Sequence, residues 1–413
     1  MMRPDSFATL PADLKLGNRM QILEFFQAGG ERTVAEAAER VGVSRQTATK
    51  AIRFFIGKGL LVRAGKADST SIGGKRAELF SLSPDRCLLC AALWPDRLRL
   101  SLVDLRFRLV EQFDEPQALP DSVEQALRRL GALSDELLAR AGVAPDRLLG
   151  VCVSTSGIVD YRTGSLKYSS LAPGWGFNIP VAGLLAPYFP EGTPILAENV
   201  SKVVARSLLH EKEIRDRRVL AVFSAWGGVC ASFIEHDRIL NGRDSLIGEI
   251  GHMTLAPDDD ERCGCGGYGC FERLVSDARI RRAAAEILAR RPDSALGRAP
   301  LASLTVKDVF AASAGGDEGA REIDAGLARY FAMALRNVSL SFNPELVVFH
   351  GDYAWADDYF RARLYDNLRA FRYYPADEPF ELRLDRRPIR ELDLRGAYTL
   401  LLDRLFSDPA LCE

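Results

Sequence analysis

The feature of the sequence that most constrains its fold is a short segment in which one histidine and three cysteines are spaced for a metal ion. His252 is followed after ten residues by Cys263, after one more by Cys265 and after four more by Cys270, with glycines between the cysteines. One imidazole and three thiolates are the ligand set of a closed, structural zinc site. Glycine allows a short loop to wrap its sulfurs around one ion. We predict a structural Zn²⁺ here; the alternative is four side chains without a ligand.

Composition narrows the class of protein. The 413 residues are 47% hydrophobic and 27% charged, which excludes wholesale disorder, and a chain of this length is expected to form roughly two to three domains. Eight cysteines are too sparse for a disulfide scaffold. The chain has no apolar run of about 18 residues and no secretory pattern at its start, so we expect a cytoplasmic protein without a membrane partner.

The first 82 residues show the pattern of a winged helix-turn-helix. Residues 17–28 have apolar side chains at helical spacing and are followed by two glycines. A second short helix is predicted over residues 31–41, Gly42 supplies the turn, and Ser44 is the predicted N-cap of the next helix. Residues 59–82 then read as a strand, a tip rich in Gly and Ser, and a returning strand, which is the pattern of the wing.

The second helix of such a pair lies in the major groove of DNA, with its first residues against the base edges. Residues 1–80 contain 13 basic and 8 acidic residues, a net charge of +5, while the remainder carries −7 of the total of −2. This asymmetry favours DNA contact over the alternative that the helical hairpin serves packing alone. The predicted DNA-binding residues are Arg45, Gln46, Thr47, Thr49 and Lys50 on the helix, and Lys75 and Arg76 on the wing.

The rest of the chain alternates strands with helices, which predicts a layered α/β body. Three strand-like runs from Cys87 onward suggest a meander, a helix follows at about 121–142, and LLGVCVSTSGIVD reads as a buried strand entering a turn.

The segments STSGIVD, PGW, GEIGHM, CGCGGYGCFE and FNPELVVFHG occur in an order that resembles the ROK family of sugar kinases and transcriptional repressors. The resemblance runs from about residue 85 to the end, and GGKRAELFSL resembles the end of that group's wing. It implies a two-lobed actin- and hexokinase-like body around a sugar cleft.

The resemblance also separates kinases from repressors. Family kinases carry a DxGGT turn after the first strand, and its backbone N–H groups cradle phosphates; here the segment is AALWPDR. In kinases the strand Glu-Asn-Asp ends with the general base, whereas this chain has Val200, which has no group to accept a proton. The second phosphate loop, usually GTGxG, reads SAWGG. We therefore expect no catalytic residues and no enzyme activity.

By the same resemblance, Asn199, Glu249, His252 and Glu272 match positions that hydrogen-bond sugar hydroxyls, and His252 would bind zinc through its other ring nitrogen. Carboxylates and an amide suit vicinal hydroxyls, and the zinc ion would fix their geometry without taking part in chemistry. Two alternatives stay open: the two glutamates could be ordinary surface or salt-bridging carboxylates, and Asn199 could simply cap the following helix.

The sequence thus predicts three domains: a winged helix-turn-helix at 1–82, a first lobe at 83–200 to which a helix at about 388–408 returns, and a second lobe at 201–387 with the zinc site and a dimerisation surface. The expected function is a transcriptional regulator of carbohydrate genes, most simply a repressor. It would form a homodimer or tetramer on palindromic operator DNA and respond to a sugar or sugar derivative bound between the lobes. The alternatives are a zinc-containing sugar kinase with an added DNA-binding domain, and a regulator whose effector is a partner protein.

Overall fold

The structure is a computed structural model that describes residues 11–27, 29–67, 76–116, 122–370 and 379–407, with the side chains of residues 11–14 excepted. The described residues divide into two compact units. The first takes in the chain up to Ser154, Val181–Ala197 and the chain from Ala397; the second takes in Thr155–Pro180 and Glu198–Gly396. The domain boundaries expected at residues 82, 200 and 387 stay predictions.

The N-terminal part of the first unit is a winged helix-turn-helix, as predicted. Its strands form a sheet of order β1-β3-β2, in which β2 and β3 are the antiparallel wing. The predicted wing residue Lys75 lies outside the described residues. The elements are α1 (Pro11–Gln27), β1 (Arg32–Thr33), α2 (Val34–Val41), α3 (Arg45–Gly57), β2 (Leu61–Lys66) and β3 (Glu78–Leu82).

Local capping explains where α2 and α3 begin and end. Gly42 ends α2 in the left-handed conformation (φ 74°), which glycine adopts at little cost. Ser44 caps α3, and its hydroxyl accepts a hydrogen bond from the Thr47 N–H at 3.1 Å. A capping box that the sequence analysis overlooked starts α2, because the Glu36 carboxylate accepts from the Thr33 N–H at 2.7 Å. Gly42 and Ser44 therefore fix where the turn between the two helices begins and ends.

None of the helices in the described residues is long and apolar enough to span a bilayer.

The remaining elements alternate strands and helices. In chain order they are β4 (Cys87–Trp94), β5 (Arg97–Asp104), β6 (Leu109–Pro116), α4 (Val123–Ala141), β7 (Leu148–Thr155), β8 (Ile158–Asp160), β9 (Ser165–Tyr168), α5 (Val181–Leu185), β10 (Ile195–Asn199), α6 (Val200–Arg206), β11 (Val219–Ala225), β12 (Gly228–Glu235), β13 (Arg238–Ile239), α7 (Phe271–Leu274), α8 (Asp277–Arg290), α9 (Val306–Ala314), α10 (Glu318–Ser339), β14 (Leu346–Gly351), α11 (Asp358–Arg369), β15 (Glu381–Asp385) and α12 (Ile389–Phe406).

The first sheet of the body has the order β10-β7-β4-β5-β6. Strands β4, β5 and β6 are antiparallel neighbours, which confirms the predicted meander. Every residue of β4 is buried, as its continuous apolar sequence requires. The winged helix contacts the C-terminal helix within this unit, since the Gln27 side-chain amide donates to the Asp403 carboxylate at 3.0 Å.

The second sheet has the order β13-β12-β11-β14-β15, with β11 parallel to β14 and β14 parallel to β15. Its main core is a cluster of buried aromatic and aliphatic side chains in which the rings of Phe271 and Phe331 lie 4.9 Å apart, edge to face. Phe271 is the first residue of α7 and directly follows Cys270. Burial of this ring therefore anchors the end of the cysteine loop to the core of the unit.

Candidate functional site

The structure brings the predicted zinc ligands together. One ligand atom from each of His252, Cys263, Cys265 and Cys270 lies within 4.8 Å of all the others. The Sγ atoms of Cys265 and Cys270 are 3.7 Å apart, and Cys263 Sγ is 3.6 Å from His252 Nδ1. A tetrahedral site with Zn–S of ~2.3 Å and Zn–N of ~2.0 Å has an S···S edge of about 3.8 Å and an S···N edge of about 3.5 Å. The residues present therefore fit a zinc ion.

Backbone geometry explains why glycines lie between the cysteines. A Cβ on Gly269, whose φ is 63°, would lie 1.8 Å from the carbonyl oxygen of Ala256. At Gly267 a Cβ would make only ordinary van der Waals contact, 3.5 Å from Cys265 Sγ and 3.7 Å from Cys270 Sγ. The loop thus requires glycine at position 269, where a side chain would clash with the backbone. His252 approaches from a separate 3₁₀ turn, Ile250–His252.

Burial favours the thiol form of Cys263 and Cys270. It raises the pKa of Cys270 to about 11, and it raises the pKa of Cys263 further. Zinc binds thiolates, so loading the site releases protons. Glu272 also reaches this cluster: its Oε1 atom lies 3.2 Å from Cys263 Sγ and 3.5 Å from His252 Nδ1. The sequence analysis placed Glu272 with the sugar alone and missed this contact.

A cavity that is open to solvent lies beside the cluster of predicted metal ligands. Every residue that lines it belongs to the second unit. The lining includes all four residues predicted to bind sugar, which are Asn199, Glu249, His252 and Glu272. It also includes residues that were not predicted, among them Ser156, Gly157, Ser170, Phe223, Trp226 and Cys230.

His252 joins the cavity to the metal cluster. Its Nδ1 atom faces Cys263, whereas its Nε2 atom lies 3.8 Å from Oε2 of Glu249. Glu249 is the residue before the 3₁₀ turn, so the two side chains project to the same side. Burial raises the pKa of Glu249, and the neighbouring His252 opposes that effect. Two carboxylates and one imidazole nitrogen therefore converge on one wall of the cavity.

Asn199 caps α6, as the alternative reading of the sequence had it. Its Oδ1 atom accepts from the Ser201 N–H at 2.8 Å, and its Nδ2 donates to the Gly157 carbonyl at 2.6 Å. Asn199 nonetheless lines the cavity. The residue after it, Val200, is 3% exposed and is also part of the lining, so an aliphatic side chain occupies this part of the wall.

Trp226 is the lining residue that the sequence analysis undervalued. It occupies the two-residue turn between β11 and β12 with a positive φ of 54°, which is uncommon for a bulky side chain. The sequence signal was present, since SAWGG departs from the glycine loop of the kinases. Trp175, by contrast, is 7% exposed and is absent from the described lining of the cavity.

The predicted DNA-reading residues lie at the start of α3. Arg45, Gln46 and Lys50 are exposed, as is Arg76 at the wing. Thr47 and Thr49 are half-buried, and both hydroxyls already have local partners. Thr47 Oγ1 lies 2.9 Å from Ser44 Oγ, and Thr49 Oγ1 donates to the Arg45 carbonyl at 2.7 Å. The exposed polar side chains at the start of the helix are thus Arg45, Gln46 and Lys50.

Comparison with known proteins identifies the family. The model of the ROK family matches residues 97–391, which is well over half of the chain. The chain belongs to the ROK family. Its sheets and helices agree with this body fold, so the predicted fold class is confirmed.

The ROK relatives include both kinases and regulators. A glucokinase of Halalkalibacterium halodurans is 25% identical over 63% of this chain and 78% of its own length. The DNA-binding transcriptional dual regulator NagC of Escherichia coli strain K12 is 25% identical over 78% of this chain and 77% of its own length. The crystal structure of a ROK family transcriptional regulator, a homologue of the E. coli MLC protein, aligns over 97% of this chain and 98% of that one. That alignment has a TM-score of 0.78 at 21% identity, so it establishes similarity of fold.

Proposed function

We propose that this ROK protein is a DNA-binding transcriptional regulator whose affinity for its operator is controlled by a sugar in the cavity beside the metal cluster. The observation that carries the proposal is the exposed start of α3, with Arg45 and Gln46 facing solvent, in the same chain as a ROK body. Arginine pairs with guanine and glutamine with adenine in the major groove. A sugar kinase has no need of such a helix.

The cavity supplies the effector site. Glu249, His252 and Glu272 offer hydrogen-bonding atoms to vicinal hydroxyls, and Asn199 lines the same cavity. A structural zinc ion held by His252 and the three cysteines would hold the imidazole in place. In this arrangement the ion would hold the imidazole in place, and the side chains would form hydrogen bonds with the sugar.

A homodimer acting as a repressor fits this scheme best. Two recognition helices related by twofold symmetry read a palindrome whose half-sites lie about one helical turn of DNA apart, or a multiple of it. A sugar changes operator affinity only if it binds the DNA-competent and DNA-free states with different affinity. Such a protein needs no catalytic residue.

The proposal is tested by selecting genomic DNA fragments on the zinc-loaded full chain and measuring their release by sugars. We expect a palindromic fragment to bind tightly and to be released by one sugar of a panel that includes D-glucose and N-acetylglucosamine. A double variant, Arg45→Ala with Gln46→Ala, should lose this binding, whereas Lys212→Ala, at an exposed position of the body, should retain it. Failure to select any DNA sequence would contradict the proposal.

A kinase is the second candidate, because a glucokinase is among the relatives. Val200 argues against it, since an aliphatic side chain lines the cavity at the position that the family resemblance gives to the general base. Loss of a general base lowers rates by about 100- to 10,000-fold. Incubation with ATP, Mg²⁺ and each sugar of the panel distinguishes the two functions. We expect no ADP above the background of a Glu249→Gln control, and turnover at enzyme-like rates would establish the kinase.

A further inference from the structure

The charges around the cavity restrict the ligand it can take. Among the described residues that line it, the carboxylates are Glu249 and Glu272, and none is lysine or arginine. A divalent ion bound by three thiolates would carry a net charge of −1, so a zinc ion in the cluster would not reverse the sign. Phosphate-binding sites instead gather cationic side chains or backbone N–H groups at a helix N-terminus.

Lys202 is the cation of α6 that comes into question for such a ligand. It is 5% exposed and is absent from the described lining of the cavity. Its ammonium group is therefore not among the groups that a ligand in the cavity would contact.

The wall contributed by the β11–β12 turn is aromatic. Ala225 pairs with Gly228, so Trp226 and Gly227 form a two-residue turn with φ angles of 54° and 78°. Turns with two positive φ angles favour Asn-Gly, and a tryptophan at the first position is strained. Strained residues persist where the surroundings impose them, and they cluster at ligand sites. The ring of Phe223 lies 6.0 Å from that of Trp226 and also lines the cavity.

We propose that the cavity selects a sugar without a phosphate or other anionic group, and that Trp226 is a specificity-determining residue that packs against the C–H face of the sugar ring. The carboxylates of Glu249 and Glu272 then accept hydrogen bonds from the hydroxyls at the ring edge. This inference rests on the proposed function, in which the cavity holds the effector. It adds the chemical class of that effector and the residue that positions it.

The class of ligand is tested by calorimetry on the zinc-loaded full chain with matched pairs: D-glucose and its 6-phosphate, and N-acetylglucosamine and its 6-phosphate. In the pair that binds, we expect the neutral sugar to bind at least about 100-fold more tightly than its phosphate, which corresponds to about 2.8 kcal/mol. Tighter binding of a phosphate would overturn this inference and leave sugar-controlled regulation standing. Binding of neither member of either pair would overturn both.

The role of Trp226 is tested by Trp226→Asn, because asparagine tolerates a positive φ and removes the ring. We expect sugar affinity to fall at least about tenfold while the melting temperature changes little, since relief of strain offsets lost packing. Trp226→Phe should restore part of the affinity. Trp355→Ala, at a tryptophan that is 47% exposed and outside the described lining, is the matched control and should bind like the parent.

Intrinsic fluorescence provides a second readout. The sugar-induced change in tryptophan emission should disappear in Trp226→Asn and persist in Trp355→Ala. A purely structural tryptophan would give the opposite pattern, with lower thermal stability and unchanged affinity. Trp226→Asn binding the neutral sugar with parental affinity would overturn the assignment of this residue.

Discussion

The Nε2 atom of His252 lies 3.8 Å from Oε2 of Glu249 on the wall of the cavity. The opposite ring nitrogen, Nδ1, faces Sγ of Cys263 at 3.6 Å. One imidazole ring therefore spans the distance between the predicted metal cluster and the proposed sugar site. Fixing one nitrogen of a histidine sets the orientation of the ring and the tautomer of the other nitrogen. We therefore predict that metal loading and ligand binding are coupled through this single side chain.

Loss of the metal should weaken sugar binding. Cys265→Ser removes the exposed ligand of the cluster, and we expect the variant to lose bound zinc, to melt at a lower temperature and to bind sugar about 10- to 100-fold more weakly. Zinc content by mass spectrometry and sugar affinity by calorimetry measure the two effects together. Cys230→Ser is the control, because Cys230 lines the cavity but is not part of the cluster, and it should retain zinc. A zinc-free Cys265→Ser protein with parental sugar affinity would contradict the coupling.

Glu249→Gln separates ligand binding from metal binding. Glu249 is outside the ligand cluster, so the variant should keep its zinc and its melting temperature. A hydrogen bond to a charged acceptor contributes about 1.5–3 kcal/mol, so we expect sugar affinity to fall roughly 10- to 100-fold. Calorimetry measures the affinity, and circular dichroism monitors the fold. Unchanged affinity would show that this carboxylate does not touch the ligand.

Arg45→Ala should change which DNA sequence is preferred. A bidentate arginine–guanine contact contributes about 1–3 kcal/mol of discrimination, so the variant should bind its selected operator about 5- to 150-fold more weakly and tolerate substitution of one base pair in each half-site. Lys50→Ala, also exposed on α3, should instead weaken binding to all sequences alike and reduce the dependence on salt. Competition binding with single-base operator variants measures both effects. Equal losses on every operator would place Arg45 on the phosphate backbone.

Asp324 should make stability fall as the pH rises. Its side chain is fully buried and accepts a hydrogen bond from Ser313 Oγ at 2.7 Å. Burial, with a further contribution from the Asp357 carboxylate, raises its pKa to about 8. Because the folded-state pKa lies above the unfolded value near about 4, this stabilising contribution is complete below about pH 4 and is lost as the pH rises toward about 8.

Asp324→Asn keeps the acceptor for Ser313 and removes the titration. We expect its unfolding midpoint in urea to exceed that of the parent at about pH 8, by a gain of several kcal/mol in the free energy of unfolding, and to converge with it toward about pH 4. Asp293→Asn, at an exposed position, should leave the pH profile of the parent unchanged. If the stability of the parent and that of Asp324→Asn depended on pH in the same way, the raised pKa assigned to Asp324 would be wrong.

The elements and ligands that sequence reasoning located are those with a local cause. The helix-turn-helix follows from the Gly42 turn and the Ser44 cap, and α12, at Ile389–Phe406, lies close to the helix predicted at about 388–408. The four predicted zinc ligands were recognised because three of them fall within eight residues, and the structure places their ligand atoms within 4.8 Å of one another. Local spacing is sufficient wherever the contacts join residues that are near in sequence.

The remainder of the site depends on contacts between distant segments. Ser156, Trp226 and Glu249 meet at one cavity although they follow different strands, and spacing along the chain carries no sign of that. The contact between Glu272 and Cys263 depends on the conformation of the cysteine loop that separates them in the sequence. Asn199 shows a further limit, because a helix cap and a cavity wall call for the same residue type. Tertiary packing decides such cases, and the pattern alone does not.

The turn between β11 and β12 has a consequence for how this protein changes over evolutionary time. It contains two residues, and insertion of a third would require a different turn, commonly one with a β-bulge, and would disturb the pairing next to it. Substitution at position 226 leaves that pairing intact. With Trp226 in the role proposed above, new ligand preferences would arise through point mutations in the turn more readily than through changes in its length, which makes position 226 the first place to randomise when this fold is engineered as a biosensor.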